Sequence, residues 1–466
     1  LIDRNEIDLK IASFFCKSND FNGISLTEIC EGYCDRCLKD LPKANDLSEL
    51  PTDVLLEYAN PCKGNSQTAN ELKSILETLV DDDKIVLVYD LNPHVKRFPN
   101  RPKDQQKKLL NEKFTEMCAY PTRAEVATRI DVNSFVETPY LKRLWECEPN
   151  LEPVYFDLEV LENYANDPRY FFDWSDFTGS IHLSDDYYES LEMKPRDQTY
   201  LEHFGLGFRK SDGQRVVSVP LIYLSRLTPE HQQRWKTHEE SEPCIMDPDY
   251  YTTSIIGDWA EKVPIYEAFL HEMEIINQMC SAAGLPNMFI KSFKNDRPKY
   301  FRIPFRNTKE AYHTSVEEMD KTLSQNLNKK FFEAVLRPDE TYQTVKHKKT
   351  GADVVQEYGT LAMLNHWIKT RFKFRDAADQ AKAAAELAAL DKVRKIRQAP
   401  AHKIEKDEHG RTFSDMHDEI LYEAYTSLRT IRLIFTNHPS IKKDVEVPDW
   451  LFEGKIRLFS WKGDIK

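Results

Sequence analysis

The sequence predicts an α+β multidomain protein, mostly α. It divides into an N-terminal winged-helix-like unit (residues 1–105), a mixed α+β middle domain (106–325) and a C-terminal antiparallel helical bundle (326–466). Three observations carry this. A chain of 466 residues is too long for one ordinary hydrophobic core, so several domains are expected. Apolar residues make up 41%, which builds packed cores and is incompatible with wholesale disorder. Apolar residues recur at helical spacing towards both ends of the chain, whereas the middle mixes strand, turn and helix signals.

The N-terminal unit reads as helices followed by a hairpin. Ser25 with Glu28 makes a capping-box start, and Leu26, Ile29, Cys30, Tyr33, Cys34, Cys37, Leu38 and Leu41 follow at helical spacing. Thr68 caps a second helix carrying Leu72, Ile75, Leu76 and Leu79. The run Lys84 to Asp90 is a strand, Asn92-Pro93 turns it, and His94 to Phe98 returns. Residues 99–118 are charged and read as a linker or an exposed helix, with a solvated face.

In the middle domain, Val154-Tyr155-Phe156 leads to the turn Asn166-Asp167-Pro168. Phe208 and Val216 to Val219 flank Ser211-Asp212-Gly213-Gln214, a hairpin signalled by Asp-Gly. Pro229 opens a helix through Trp235. Pro264 opens another with Phe269, Met273, Ile276 and Cys280 inward, stopped by Gly284 and Pro286. Residues 326–438 read as almost wholly helical: a helix around Phe331 and Phe332, one from Asp353 to about Phe374, an Ala-rich helix from Ala377 to Arg397, and a last from about Asp415 to Asn437. Short or moderate connections between such helices suggest an antiparallel bundle. Lys455 to Phe459 is strand-like.

Composition and motifs exclude several chemistries. Glycine is scarce, 14 in all, which weighs against a doubly wound α/β enzyme with glycine-rich phosphate loops. There is no Gly-x-x-x-x-Gly-Lys-Ser/Thr loop. Gly205-Leu206-Gly207 lacks a third glycine and reads as a strand-edge bend. His271-Glu272 begins like a zinc-protease helix, but Ile275 stands where the second histidine belongs. Glu267 and His271 are spaced to pair as a simple hydrogen bond. Cys30, Cys34 and Cys37 invite a zinc site with Cys62. Their spacing puts them on one helical face with Ile29 and Leu41, so core packing is the stronger reading. Asp157, Glu159, Glu162, Asp173, Asp176, Asp185 and Asp186 would have to converge to serve a metal-dependent nuclease. No metal site and no cofactor is therefore expected.

No apolar run is long enough for a membrane span. The first residues, Leu1-Ile2-Asp3-Arg4, lack the basic start and apolar core of a signal peptide and suggest a processed or trimmed end. Nine unevenly spaced cysteines suggest reduced thiols in a cytoplasm. Net charge is −13, which disfavours indiscriminate nucleic-acid binding but permits a local basic surface.

That surface lies near the C-terminus. Cleaving RNA without a metal needs a base for the 2′-hydroxyl proton and a cation for the phosphoryl oxygens. Histidine suits the first and arginine the second. The pattern Arg-x4-6-His occurs six times: Arg196/His203, Arg226/His231, Arg306/His313, Arg397/His402, Arg411/His417 and Arg432/His438. Arg397/His402 is preferred on three grounds. Leu390, Val393 and Arg397 share a stripe, so Arg397 continues the apolar face and must find a partner there. Pro400 ends the helix and aims His402 back. From Lys369 to Lys403 there are ten Lys or Arg against four Asp or Glu, the electrostatic footprint of a phosphate-binding face.

Arg397-Gln398-Ala399-Pro400-Ala401-His402, at a junction of two helices, resembles the motif of the HEPN ribonuclease superfamily, although Gln398 stands where that family commonly has Asn, Asp or His. The resemblance covers about a quarter of the chain. It implies a metal-independent endoribonuclease on single-stranded RNA, with His402 as base and Arg397 stabilising the transition state. Arg394, Lys395, Lys403, Arg371 and Lys373 would bind the backbone, and the bundle would form a homodimer. The overall plan, with the stretch Leu224 to Trp235, is similar to uncharacterised bacterial antiphage-defence proteins, which implies a defence or toxin effector. The alternative is a non-catalytic adaptor or regulator that dimerises through the bundle and binds a partner through its winged helix. The candidate recognition helix Ala69 to Leu79 carries two acids and one base, so a protein partner fits better than DNA.

Overall fold

Ile7, Ile11 and Phe15 recur every fourth residue along α1 (Arg4–Lys17), and all three are buried. That periodicity sets one helical face against a core. The structure is a computed structural model and describes residues 2–17, 21–32, 67–89, 101–346, 351–398, 406–436, 441 and 445–459. It is mixed α+β with several sheets and a C-terminal helical region. Two compact units emerge: residues 1–174, 178–207 and 216–255 form the first, and 175–177, 208–215 and 256–466 the second.

The first unit continues from α1 through β1 (Ile24–Ser25), α2 (residues 26–32), α3 (Gln67–Asp81), β2 (Ile85–Tyr89), α4 (Lys103–Lys113) and β3 (Met117–Pro121). The strands make an antiparallel sheet in the order β1-β3-β2, with Ala119 between Ile24 and Leu87. Ser25 Oγ accepts from the Glu28 amide at 3.1 Å and starts α2. Cys30 is buried with Ile29, Leu72 and Leu76 in one apolar core, as core packing requires. Cys34, Cys37 and Cys62 lie outside the described residues.

One expectation here lies outside the described residues and another needs correction. The strand that returns against β2 is β3; the predicted return at His94 to Phe98 falls outside the described residues. Residues 103–113 are no linker: α4 buries Leu110, and Gln106 Oε1 accepts from the Leu87 amide at 3.0 Å. The charged sequence hides this because Leu110 is the only apolar residue α4 buries.

Beyond α5 (Pro139–Trp145), the first unit holds most of a six-stranded sheet. Its strands are β4 (Pro153–Asp157), β5 (Tyr170–Trp174), β6 (Thr178–Leu183), β7 (Tyr200–Arg209) and β8 (Arg215–Pro220), in the order β4-β8-β7-β6-β5, with β9 (Cys244–Met246) on β7. The predicted Asp-Gly hairpin joins β7 to β8, with Gly213 at φ +72°. Gly205 and Gly207 do not bend an edge; they lie inside a central strand. A Cβ on Gly205 would come within 2.2 Å of the Tyr250 ring, so glycine is there for close approach. Pro229 opens α6 (Pro229–Lys236), whose fully buried Trp235 packs edge-on against Phe156 at 4.8 Å.

The second unit contains β10 (Val263–Pro264), α7 (Ile265–Ala282), α8 (Lys309–Thr322), α9 (Lys329–Val335), β11 (Tyr342–Lys346), β12 (Asp353–Glu357), α10 (Thr360–Arg371), α11 (Ala377–Gln398), α12 (Thr412–Thr436), α13 (Asp449–Glu453) and β13 (Ile456–Arg457). Phe269, Met273, Ile276 and Cys280 are fully buried on α7, which Gly284 ends at φ +68°. α11 runs antiparallel to α12: Lys392 meets Glu423, and further back Glu386 meets Ser427 and Thr430. α7 runs parallel to α12, with Tyr266 beside His417, Glu272 beside Arg432 and Met279 beside Thr436. Residues 353–357 are strand, not helix. β11 and β12 form an exposed antiparallel ribbon, Val355 69% exposed, and α10 starts only after Gly359. The adjacent valines favour the pleated state, and Gly351 at φ +68° turns the chain before them.

Two charges sit deep in this unit. Glu272 is 0% and Arg432 is 3% exposed, joined Nε to Oε2 at 2.5 Å and Nη2 to Oε1 at 3.2 Å, with the Tyr425 hydroxyl donating to Oε1 at 3.4 Å. Burial pushes the Glu272 carboxyl up against the pull of Arg432. Glu272→Ala should destabilise the protein by about 3–5 kcal/mol in urea titration, because it strands a buried guanidinium. The double variant E272M/R432M should recover most of that loss. Equal costs for the single and double variants would contradict the pairing.

In the first unit His231 is 1% exposed, and its Nδ1 accepts from the Tyr164 hydroxyl at 2.8 Å, while Trp235 Nε1 donates to that hydroxyl at 3.0 Å. Burial, with Arg234 nearby, pushes the imidazole down to about 4. The folded state therefore refuses a proton that the unfolded chain accepts below its ordinary value of 6.5. Stability should fall as pH drops from 6.5 towards 4, by about 1.4 kcal/mol per unit from this group. His231→Gln keeps a partner for Tyr164 and should remove that component from the pH dependence of urea unfolding. An unchanged difference between pH 7 and pH 5 would refute it.

Candidate functional site

The Ala-rich helix α11 buries Ala383, Leu387, Leu390 and Val393, and Arg397 comes next on the same stripe. Its partner is Asp320 on α8. Arg397 Nη1 lies 3.3 Å from Asp320 Oδ2, with side-chain exposures of 35% and 0%. Turned with its carbonyl towards the guanidinium, the Gln325 amide accepts from Nη1 at 2.9 Å. Ser324 Oγ donates to the other carboxylate oxygen. Asp320 was not anticipated, yet a signal existed. Tyr312, Ser315, Val316, Met319 and Asp320 are the buried face of α8 at i, i+3, i+4, i+7 and i+8, and a carboxylate at such a position demands a cation.

The other predicted residues are not assembled around this pair. His402 and Lys403 lie outside the described residues. Arg371 is committed elsewhere: its fork holds Glu340, Nη1 to Oε1 at 3.2 Å, and this hydrogen bonding, chiefly, brings the Glu340 carboxyl down to about 2. Lys373 and Lys395 are exposed and Arg394 half-buried, with no carboxylate partner among the described residues. Several of the positive charges in this stretch are answered by carboxylates. Lys392 meets Glu419 and Glu423, and Arg375 meets Asp376 and Asp379.

Two histidines of the alternative Arg/His pairs, His231 and His417, are buried. Arg411 makes an exposed contact with Asp415 at 3.8 Å. His417 is buried in a chain of polar groups: Tyr266 hydroxyl to Nε2 at 3.3 Å, and Nδ1 to Asp418 Oδ1 at 3.3 Å. Arg215 then grips Asp418 through Nη2 at 2.7 and 2.6 Å, and its Nε donates to the Phe459 carbonyl. Burial alone would raise the Asp418 carboxyl, but Arg215 and His417 hold it below its ordinary value. Arg297 lies over the Tyr266 ring, 4.8 Å from its centroid, and forks onto buried Asp176. Sequence spacing could not reveal this network, since Arg215 and Asp418 are 203 positions apart. His271 Nε2 stands 3.7 Å from Glu267 Oε1, a loose surface contact.

Two of the acidic residues of the middle stretch serve the fold. Asp157 accepts from the Glu159 amide at 3.0 Å, and Asp176 pairs with Arg297. Among the described residues no three His, Cys, Asp or Glu side chains gather to hold a metal. No helix among them is long and apolar enough to cross a membrane. Comparison with family models, curated proteins and solved structures returns no match to this chain.

The asymmetric exposure of the Arg397–Asp320 pair makes a prediction. Arg397→Met strands a fully buried carboxylate and should cost about 3 kcal/mol. Asp320→Asn leaves a guanidinium that water can still reach and should cost about 1 kcal/mol. Chemical denaturation of the two variants checks the order; the reverse order would show that Arg397 contributes little to the fold.

Proposed function

We propose that the C-terminal helical region is a HEPN-type, metal-independent endoribonuclease acting on single-stranded RNA. The observation that carries this reading is the brace on Arg397. A fully buried carboxylate fixes one edge of the guanidinium while about a third of the side chain (35%) stays exposed at the end of α11, five residues before His402. A cation held from behind and open in front is preorganised for a developing phosphorane charge, and preorganisation is what such a group contributes. His402 takes the 2′-hydroxyl proton, the resulting oxyanion attacks phosphorus, and the P–O5′ bond breaks, leaving a 2′,3′-cyclic phosphate and a 5′-oxygen that takes its proton from protonated His402 or water. Lys373, Arg394, Lys395 and Lys403 supply positive charge for the backbone; Arg371, tied to Glu340, does so less. Packing of the helices as an antiparallel HEPN-like bundle, dimerisation through it, a cytoplasmic setting and a role as a defence or toxin effector all belong to this proposal.

A second reading is favoured by one observation: Asp320 cancels the charge that phosphate would need. On that reading the helices are a non-catalytic scaffold. The strand order β1-β3-β2 with α1, α2 and α3 supports a winged-helix unit that docks a partner. Lys103 and Lys107 of α4 meet Asp83 and Asp81 at the end of α3 at 2.7 and 2.5 Å, and Asn111 meets Glu77. α4 therefore occupies part of the surface that would enter a DNA groove, which favours a protein partner.

The test is cleavage of a single-stranded RNA in chelator by the full chain, His402→Ala and Arg397→Ala. Both variants should lose at least about a hundredfold in rate, the range removed with a general base or a charge-stabilising donor, while circular dichroism of His402→Ala is unchanged. Cleavage at the parental rate by His402→Ala would leave the scaffold reading standing.

A further inference from the structure

Between Ala282 and Lys309 the chain runs 26 residues without a helix or strand. Ordered loops of this length are uncommon and are usually functional. This one is pinned at several points. The Asn277 side chain clasps Phe289, accepting from its amide at 2.9 Å and donating to its carbonyl at 3.0 Å. The Asn326 side chain does the same for Lys291, at 3.0 and 2.7 Å. Phe301 and Ile303 are buried, and Phe301 packs on Phe269 at 4.9 Å. Arg297 is tied down on Asp176 and the Phe301 carbonyl.

What this rigid loop shows outward is basic and aromatic. From Lys291 to Arg306 there are six Lys or Arg against one acid, Asp296, in a chain of net charge −13. Lys291, Lys294 and Lys299 are exposed and meet no carboxylate within 4.0 Å among the described residues. Tyr300 is 42% exposed, with Lys299 5.4 Å and Arg302 6.0 Å from its ring centroid. Lys291 lies 6.0 Å from the Phe293 ring, and Phe293 has φ +59°, a left-handed backbone that a bulky residue rarely adopts.

The same loop walls an open groove of about 600 Å³ against the C-terminal half of α7. Asn277, Gln278, Ser281, Asn287 and Ser292 line it, and Ile290, 61% exposed, stands at its rim. Glu274 also lines it, and its carboxylate accepts from Gln278 at 3.2 Å.

We propose that the loop and groove bind single-stranded nucleic acid: Lys291, Lys294 and Lys299 meet phosphates, Tyr300 stacks on a base, and the amides and hydroxyls of the groove meet base edges. Three features select this ligand. Positive charge in an acidic chain calls for a polyanion. Exposed rings flanked by cations are stacking platforms for unpaired bases. A polar groove beside them suits a base that has left the stack, which duplex does not offer. The site does not require cleavage at Arg397.

The experiment is fluorescence anisotropy on the full chain with labelled single strands of about twelve nucleotides, one 2′-O-methyl RNA and one DNA, and a duplex of the same length. Neither single strand has a free 2′-hydroxyl, so neither can be cut through it, and failure of the ribonuclease reading leaves the measurement intact. At least one single strand should bind more tightly than duplex. Lys291→Glu/Lys294→Glu/Lys299→Glu should weaken it tenfold or more and reduce the slope of log K against log salt by about 2, the value for three phosphate contacts on a single strand. Tyr300→Ala should weaken binding about tenfold with no change in slope. Equal or tighter duplex binding, or less than a twofold effect of the triple variant, would overturn the proposal.

Discussion

The second unit is organised by the requirement that a charge taken out of water be paired. Glu272 with Arg432, Asp418 with Arg215, Asp176 with Arg297 and Asp320 with Arg397 each join segments far apart in sequence. Burying an ion pair is weak evidence for stability, since apolar replacements of the same shape often serve as well. What such pairs provide is register. A leucine tolerates sliding by part of a turn; a buried carboxylate does not, because a small shift leaves it unpaired. Arg432 and Glu272 thus set the axial position of α12 against α7, and Asp320 sets the end of α11 against α8.

α12 shows how one helix carries both kinds of instruction. Asp418, Tyr425 and Arg432 recur every seven residues, and so do Leu421, Leu428 and Phe435, three positions on. The apolar set is fully or almost fully buried and supplies the hydrophobic term. The polar set makes the long-range hydrogen bonds to Arg215 and Glu272. Because the two seams interleave at heptad spacing, the helix is amphipathic in the ordinary sense while its buried edge reads as polar. A residue-by-residue hydrophobicity reading sees the first seam and underrates the second.

Local signals were therefore the legible ones. The Asp212-Gly213 turn, the prolines opening α6 and α7, the stop at Gly284 and the Ala-rich helix all depend on residues within one or two turns of each other. The stripe on α11 announced that Arg397 needed a partner, but not which one, because Asp320 lies 77 positions away. The sequence of β12 reads as the start of a helix because Val354 and Tyr358 fit a helical stripe at i, i+4. The adjacent valines and flanking Gly351 and Gly359 carried the opposite message.

Charge density along a sequence and charge in space are different quantities. The stretch Lys369 to Lys403 has the larger formal excess, yet Arg371, Arg375, Lys392 and Arg397 are each answered by a carboxylate on the same or a neighbouring element. The loop from Lys291 to Arg306 drew no attention as a motif. Lys291, Lys294 and Lys299 are nevertheless exposed on a loop whose only internal acid is Asp296, while Phe301, Ile303 and Phe305 are buried and Arg297 is clasped by Asp176. At about 8–10 Å of screening length in ordinary salt, a cation paired at contact distance presents little field to a ligand, whereas Lys291, Lys294 and Lys299, which meet no carboxylate at contact distance among the described residues, present more of theirs.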